Sequence, residues 1–382
     1  MSSAKLRDVA DLIRGWIKDG APQTMVVVVA RRGVIVMHEA FGQLTPDPTG
    51  PKTPCDAIFE LASITKVLTA TSLMTLVEDG RVGLNRPVSM YIPEFRGPNK
   101  DAVLVRHLLT HTSGLKPQTV EDYAEGPGAE VIIPPTPATV HPLCHEYLYQ
   151  RYGAPTSTAP DEEMCYANIN LELAADIVRR VSGRSLDRFA EERIFGPLGM
   201  KDTHYCRVDV PLPRRVIEKP FAGDHPRWWR DGMMTETERF CMGSNFAWST
   251  ALDLAIFCQT FLNGGAYGDA RILSPLSVRA MTRNQTAGIP AEFFGQKFPE
   301  SCWGLGWGVS GNKPGWNGAL PADETFGHVG SGGVECWADP IHEVVMADLS
   351  STVQVGYTTP DWAKTWRNDL LTDAVLATIT DL

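Results

Sequence analysis

Two side chains able to do covalent chemistry, Ser63 and Lys66, stand three residues apart in the stretch Leu61-Ala-Ser-Ile-Thr-Lys. A serine hydroxyl becomes a nucleophile only when a neighbouring group takes its proton. At a helix start, positions three apart lie on one face, so the Lys66 amine is predicted to lie beside the Ser63 hydroxyl. Lys66 is surrounded by apolar residues, and burial there requires a partner or a lowered pKa. The pattern alone also arises from an N-cap serine and a surface lysine, so context has to decide.

Two further clusters supply such context. Tyr166-Ala-Asn168 precedes a predicted helix, and a phenol near an ammonium group ionises more readily, so Tyr166 beside Lys66 could serve as a base. His328-Val-Gly-Ser331 precedes a predicted strand, where glycine allows a ligand to approach the backbone and an N–H group can face an oxyanion. Each cluster alone also fits a plain structural role: a half-buried tyrosine, a core histidine or a hairpin turn.

In this order the three clusters resemble the serine β-lactamase and penicillin-binding-protein superfamily. Within it the chain looks like the class C β-lactamase branch, and most like the family VIII carboxylesterases and related D-amino-acid amidases and transacylases. The resemblance covers about residues 20–350. Further matching stretches are Leu108-Leu-Thr-His-Thr-Ser-Gly-Leu115, Phe195-Gly-Pro-Leu-Gly-Met200, Trp303-Gly-Leu-Gly-Trp307 and Gly327-His-Val-Gly330.

The resemblance implies roles for particular residues. Ser63 would be the nucleophile, with Lys66 and Tyr166 as the coupled general base and acid. Asn168 would bind the substrate carbonyl and belong to the same network. The backbone N–H groups of Ser63 and Ser331 would form the oxyanion hole, and the reaction would pass through an acyl-enzyme.

The third cluster departs from the family pattern. β-Lactamases and transpeptidases usually carry Lys-Thr-Gly there, whereas this chain has His328, Val329 and Gly330. A histidine is mostly neutral at pH 7, so the cation that attracts a substrate carboxylate is lost. This argues against β-lactams and D-Ala-D-Ala peptides and favours neutral esters.

The sequence therefore predicts a serine hydrolase that cleaves carboxylic esters through an acyl-enzyme on Ser63. An acyltransferase, a D-amino-acid amidase or a β-lactamase-like hydrolase on the same scaffold remains an alternative, as does a non-catalytic ligand-binding or sensor protein. Phe221, Trp228 and Trp229 are candidate walls of an acyl pocket, although packing beneath a lid would explain them equally well.

The hydrophobic patterns predict the elements that must position these residues. They give an α+β fold: an antiparallel sheet from both termini, flanked by terminal helices, with an inserted mainly helical region. The family resemblance implies that this fold is β-lactamase/transpeptidase-like. Residues 1–82 and 246–382 are predicted to form the α/β domain, and 83–245 the insertion, including a lid-like loop at 116–162. The predicted helices are 5–18, 63–79, 105–109, 170–182, 185–194, 250–262, 274–283 and 361–378; the predicted strands are 24–30, 34–41, 304–309, 325–329, 334–338 and 344–349.

Composition excludes several classes. The 382 residues include 35 Lys and Arg against 45 Asp and Glu, a net charge of −10 without a basic run, which disfavours nucleic-acid binding. The longest apolar run, 25–30, is too short to span a membrane. The first segment reads as an amphipathic helix and not as a signal peptide, and the eight cysteines contain no Cys-x-x-Cys, so we predict reduced thiols and a cytoplasmic protein.

Weaker motifs suggest no cofactor and no metal. Residues 306–311 spell G-x-G-x-x-G, but no helix follows, so dinucleotide binding is disfavoured. His141, Cys144 and His145 lack a matching second cluster of metal ligands. No G-x-S-x-G is present, which disfavours an α/β-hydrolase. The expected partner is a small-molecule ester or amide; the oligomeric state is left open.

Overall fold

The computed structural model describes residues 1–20, 22–45, 47, 49–126, 142–206, 209–214, 216, 241–293, 296–311, 317–351 and 367–381. The helices are α1 Ser3–Lys18, α2 Thr65–Glu78, α3 Val105–Leu109, α4 Pro117–Glu125, α5 Pro142–Tyr152, α6 Asn168–Ser182, α7 Leu186–Ala190, α8 Gly196–Leu198, α9 Ala251–Leu262, α10 Pro275–Thr282 and α11 Asn368–Leu376. The strands are β1 Thr24–Arg31, β2 Val34–Gly42, β3 Phe59–Glu60, β4 Met164–Cys165, β5 Trp248–Ser249, β6 Ala266–Tyr267, β7 Ala270–Arg271, β8 Ala291–Phe293, β9 Gln296–Phe298, β10 Gly308–Val309, β11 Phe326–Gly330, β12 Val334–Asp339 and β13 Val344–Ser350.

The main sheet joins the two ends of the chain. Among the described residues it has six strands in the order β10-β11-β12-β13-β1-β2, and every neighbouring pair is antiparallel. The N-terminal hairpin therefore pairs directly with the last strand, with Val27 opposite Asp348. The predicted α+β fold, with a sheet from both termini, is confirmed.

Both faces of β1 are buried, which explains its unbroken apolar run. Val27 and Val29 pack with Ile13 of α1 and Leu371 of α11 in a cluster on one face. The alternate residues Val26 and Val28 belong to the larger cluster on the other face, because successive side chains of a strand point to opposite sides. The sheet is thus covered on both faces.

Helix α2 runs through this larger cluster and carries Lys66. Every residue from Thr65 to Leu76 is buried, so the helix has no polar face. It ends as predicted, with Gly80 in the left-handed conformation at φ +70°.

The structure corrects the prediction of a loop over 116–162. The described parts contain α4 and α5, and each begins at a proline, Pro117 and Pro142. Proline suits the first helical turn, because the N–H that it lacks would have no partner there. The two prolines that indicated a loop therefore lie at the first positions of helices.

Two other element predictions are also wrong in part. Only β10 of the predicted strand 304–309 is a strand, because the Gly304 N–H donates to the Trp307 carbonyl oxygen at 2.8 Å and closes a turn. Gly306 within that turn has φ +92°, and a methyl group there would lie 2.5 Å from the Ala70 Cβ of α2. The last helix begins at Asn368; the predicted part before residue 367 falls outside the described residues.

A disulfide overturns the prediction that all cysteines are reduced. Cys206 and Cys241 are bonded, with Cα atoms 5.5 Å apart and a sequence separation of 35. Spacing alone cannot reveal such a pair, since the fold brings the two positions together. Cysteine usage therefore no longer supports the cytoplasmic placement, which stays a prediction, as do the domain boundaries. None of the helices in the described ranges has the length and apolar character needed to cross a membrane.

Candidate active site

Ser63 lies in a short 3-10 turn, Ala62–Ile64, that leads directly into α2. Ala62 has φ +43°, a left-handed conformation that is unfavourable for a residue with a Cβ. The neighbouring segment holds the turn in place: the Leu61 N–H donates to the Ala247 carbonyl oxygen at 2.7 Å, and the Ala247 N–H donates to Thr65 Oγ1 at 3.1 Å. The serine is thus presented on a constrained bend at a helix start.

Lys66 reaches back to this serine. Its Nζ donates to Ser63 Oγ at 2.9 Å and to the Ser244 carbonyl oxygen at 2.9 Å, and its side chain is fully buried. Burial lowers the pKa of Lys66 to about 7, although the charge of Glu172 acts in the opposite direction. Near neutral pH a large share of this amine is therefore uncharged and able to accept a proton.

Tyr166 faces the lysine from the start of α6. The Lys66 Nζ lies 4.9 Å from the centre of the Tyr166 ring. His111 fixes the backbone on both sides of the tyrosine: its carbonyl oxygen accepts from the Cys165 N–H at 2.9 Å, and its Nδ1 accepts from the Ala167 N–H at 3.3 Å. The two rings are in contact, with centroids 4.5 Å apart. His111, which follows α3, thus holds the segment Cys165–Ala167 in place.

His328 on β11 closes the other side. Its ring centroid is 6.1 Å from Tyr166 and 5.7 Å from Trp303. Its Nδ1 lies 2.7 Å from the Val329 carbonyl oxygen, which requires a proton on Nδ1 and leaves Nε2 as an acceptor. Burial, assisted by the charge of Lys66, lowers the pKa of His328 to about 3, so the imidazole is neutral at physiological pH.

Gly330 allows the end of β11 to approach Ser63. A methyl group at this position would lie 2.4 Å from the Leu61 carbonyl oxygen and 3.1 Å from the Ser63 nitrogen. Only glycine fits between the strand and the serine turn. Ser331 follows at the strand end, half-buried.

The roles of Asn168 and of the three aromatic residues remain predictions. Asn168 is exposed at the first position of α6, whereas Asn170 is buried and binds Ser113 Oγ and His111 Nδ1 at 2.7 and 3.3 Å. Because the two asparagines stand two positions apart at a helix start, the sequence could not tell which one faces inward. Phe221, Trp228 and Trp229 lie outside the described residues.

Sequence reasoning missed two residues that hold Lys66. Ser244 provides a carbonyl oxygen, which any residue type could supply, so no sequence signal marks it. Glu172 has a detectable signal: it is an acidic residue within the apolar stretch Leu171–Ala175 of the predicted helix after Tyr166. It is buried and accepts the Gly243 and Ser244 backbone N–H groups.

Within the described part of the chain, one group of potential metal ligands comes together, namely Asp187, Cys206 and Cys241. Both of its sulfur atoms are in the disulfide, so it offers no thiolate.

Comparison with known proteins gives the family. A family model described as Beta-lactamase matches residues 9–373. The chain belongs to the β-lactamase family. This confirms the resemblance and the β-lactamase/transpeptidase-like fold predicted from the three clusters.

Individual relatives of this β-lactamase family member are distant. A Salmonella agona protein, whose name proposes a D-alanyl-D-alanine carboxypeptidase, is 25% identical over 387 residues, covering 91% of this chain and 83% of its own. A family VIII carboxylesterase structure superposes with a TM-score of 0.75 at 20% identity, covering 98% of each chain. A penicillin-binding-protein homologue from Caulobacter crescentus gives a TM-score of 0.74 at 23% identity, covering 99% of this chain and 97% of its own.

Proposed function

We propose that this family member hydrolyses neutral carboxylic esters through an acyl-enzyme on Ser63. One observation carries the proposal: the buried Lys66 amine, with its pKa lowered to about 7, lies 2.9 Å from the Ser63 hydroxyl oxygen. A base whose pKa lies near the working pH combines availability with proton affinity, which is what general-base catalysis needs.

The first half of the reaction follows from this contact. Ser63 Oγ attacks the ester carbonyl carbon while its proton moves to the Lys66 amine, and the carbonyl π electrons move to oxygen. The backbone N–H groups of Ser63 and Ser331 are the proposed donors to this oxyanion. When the intermediate collapses, the bond to the alcohol oxygen breaks, and the alcohol leaves with a proton delivered from the Lys66 and Tyr166 side.

The second half repeats the chemistry with water. A water molecule gives its proton to the same base and attacks the acyl carbon, and Ser63 Oγ leaves with a proton restored from Lys66. An alcohol or amine that took the place of water would make the protein an acyltransferase, because the acyl-enzyme is common to both reactions.

The preference for neutral substrates rests on His328. A β-lactam or a peptide ending in D-Ala carries a carboxylate, and the buried, neutral His328 offers no charge to attract it. The similarity to a family VIII carboxylesterase agrees with this substrate class, whereas the carboxypeptidase name of the Salmonella relative suggests the other. We favour esters because the neutral His328 is a residue of this chain, whereas the carboxypeptidase name belongs to a distant relative.

The test compares substrates and weighs the protein. p-Nitrophenyl esters of increasing acyl length are offered beside a chromogenic cephalosporin, and the intact mass is measured after each reaction. We expect ester turnover, little cephalosporin cleavage and an acyl adduct that is absent from Ser63→Ala. Cephalosporin cleavage faster than ester cleavage, or undiminished turnover by Ser63→Ala, would contradict the proposal; a stable adduct without turnover would indicate a transferase awaiting its acceptor.

A further inference from the structure

Glu172 is a buried carboxylate beside the site that the reaction above does not use. It lies on α6, six residues after Tyr166, with 1% of its surface exposed. Its Oε2 accepts the Gly243 backbone N–H at 3.0 Å, and its Oε1 accepts the Ser244 backbone N–H at 2.8 Å. Both oxygens therefore act as acceptors for two successive amides, an arrangement that suits an ionised carboxylate.

Packing against α6 also holds Gly243 close to Glu172. A methyl group at Gly243 would lie 2.4 Å from the Leu171 carbonyl oxygen and 2.5 Å from the Ala175 Cβ, so the backbone at this position lies directly against α6. Glycine permits that approach, and the carboxylate of Glu172 binds the two amides that it brings within reach.

Ser244, one of the two residues that Glu172 binds, also contacts Lys66. The Ser244 carbonyl oxygen accepts from Lys66 Nζ at 2.9 Å, and the same Nζ contacts Ser63 Oγ at 2.9 Å. Glu172 therefore binds the backbone N–H of the residue whose carbonyl oxygen accepts from Lys66, and Lys66 in turn contacts the serine. Any displacement of Ser244 would change the direction in which the Lys66 amine points.

We propose that Glu172 is a positioning residue for Lys66: it fixes the Ser244 carbonyl that orients the amine, and it supplies the negative charge that faces the amine. This inference rests on the proposed function, because it assigns a regulator of the base in that reaction. A purely structural carboxylate would stabilise the fold without affecting the protonation of Lys66.

Glu172 supplies the charge that raises the pKa of Lys66, against the effect of burial. The other titratable groups around Glu172 and Lys66 are as follows. Burial raises the pKa of Glu172, while the hydrogen bonds from Ser244 and Gly243 and the charge of Arg179 on its own helix act in the opposite direction. From the other elements, burial raises the phenol pKa values of Tyr147 and Tyr205, so both stay neutral. Around Lys66, burial also lowers the pKa values of His111 and His328, so neither carries charge near neutral pH.

Two variants separate the two parts of this role. Glu172→Gln keeps the length of the side chain but removes its charge, and its NH₂ group cannot accept one of the two amides. We expect the acid limb of the pH–rate profile to move down by about one pH unit, because an opposite charge is lost near Lys66. We expect kcat at the plateau to fall about 10- to 100-fold with KM little changed, because the base is misplaced while no substrate contact is lost.

Glu172→Asp provides the complementary change. It keeps the charge but shortens the side chain by one methylene, so it should lower kcat and leave the acid limb near its wild-type position. Asp253→Asn is the matched control: Asp253 is also a buried carboxylate and accepts the Asp202 N–H and the Thr203 hydroxyl, each at 3.0 Å, without contact with Lys66. It should alter thermal stability but not the acid limb.

A readout that needs no substrate tests the inference separately. In protein labelled with [¹³Cε]lysine, the Lys66 signal, assigned by its absence from Lys66→Met, should titrate at lower pH in Glu172→Gln than in the wild type. The same titration in Glu172→Gln and the wild type, or an equal shift in Asp253→Asn, would overturn the role of Glu172. Absence of ester turnover and of Ser63 labelling by a fluorophosphonate probe would refute the proposed function, while the lysine titration would still test Glu172.

Discussion

The lowered pKa of Lys66 makes a specific prediction about pH. If the neutral amine is the base for Ser63, kcat/KM should follow the fraction of Lys66 that is deprotonated. With a pKa of about 7, half of the amine is neutral at pH 7, and about one molecule in a hundred at pH 5. The rate should therefore fall about 100-fold from the plateau to pH 5 and level off above pH 8.

An ordinary lysine would behave quite differently. With the usual pKa of 10.5, the rate would keep rising tenfold per pH unit through pH 9. The plateau position thus reports directly whether burial in α2 has the expected effect on the amine, whose Nζ contacts an uncharged hydroxyl and a carbonyl oxygen.

The assay measures kcat/KM for a p-nitrophenyl ester from pH 5 to 9, with product followed at the isosbestic wavelength of p-nitrophenol. The rate of Ser63 labelling by a fluorophosphonate, measured over the same range, excludes an effect on deacylation. Lys66→Arg is the control. Because its guanidinium stays protonated, the kcat/KM of this variant should be about 10²- to 10⁴-fold lower at every pH. A profile that rises beyond pH 9, or a flat profile between pH 5 and 8, would refute the assignment of Lys66 as the base.

Three further predictions concern other parts of the structure. Gly330→Ala should reduce kcat about 100-fold or more, because the added methyl would lie 2.4 Å from the Leu61 carbonyl oxygen and displace the backbone of the proposed oxyanion hole. Cys206→Ser should lower the free energy of unfolding by about 4 kcal/mol, since the disulfide closes a loop of 35 residues; denaturant titration measures this. Glu335→Gln should make the loss of Tm between pH 6 and 8 smaller, since Glu335 and Asp348 are paired across β12 and β13, and burial raises both pKa values.

The sign of the last prediction follows from proton binding. The folded protein keeps these carboxyls protonated, whereas the unfolded chain ionises them near their ordinary pKa values of 4.5 and 3.8. Stability is then complete below those values and is lost as pH rises towards the raised ones. A Tm slope unchanged by Glu335→Gln would contradict this reasoning.

The other two predictions have equally direct controls. Gly15→Ala adds a methyl on α1 with nothing within 4 Å, so it should leave kcat intact, and an equal loss in both glycine variants would remove the steric argument at Gly330. For the disulfide, a reductant should reproduce the effect of Cys206→Ser in the wild type and have no further effect in the variant.

The sequence predicted structural elements best where a stretch of residues is compatible with only one structure. The unbroken apolar run of β1 and the mostly apolar stretch of α2 predicted a buried strand and a buried helix, because such stretches are stable only when other elements cover them. It failed where one residue type occurs in two structures: proline is typical of loops, but Pro117 and Pro142 each begin a helix. It also failed at the disulfide, where the outcome depends on two positions that only the fold brings together.

The missed residues show why the surroundings of Lys66 are harder to predict than the Ser63 and Lys66 motif itself. Burial alone would push the pKa of Lys66 down until the amine became a weak base, and a fully paired lysine would stay protonated and idle. The site lies between these limits because the Ser244 carbonyl and Ser63 hydroxyl are uncharged partners, while Glu172 acts through the peptide that it holds. A motif records Ser63 and Lys66 but not this balance, which depends on a backbone oxygen and on a glutamate more than a hundred residues away. We therefore expect changes at Glu172 to alter the pH at which the protein works before they alter what it binds.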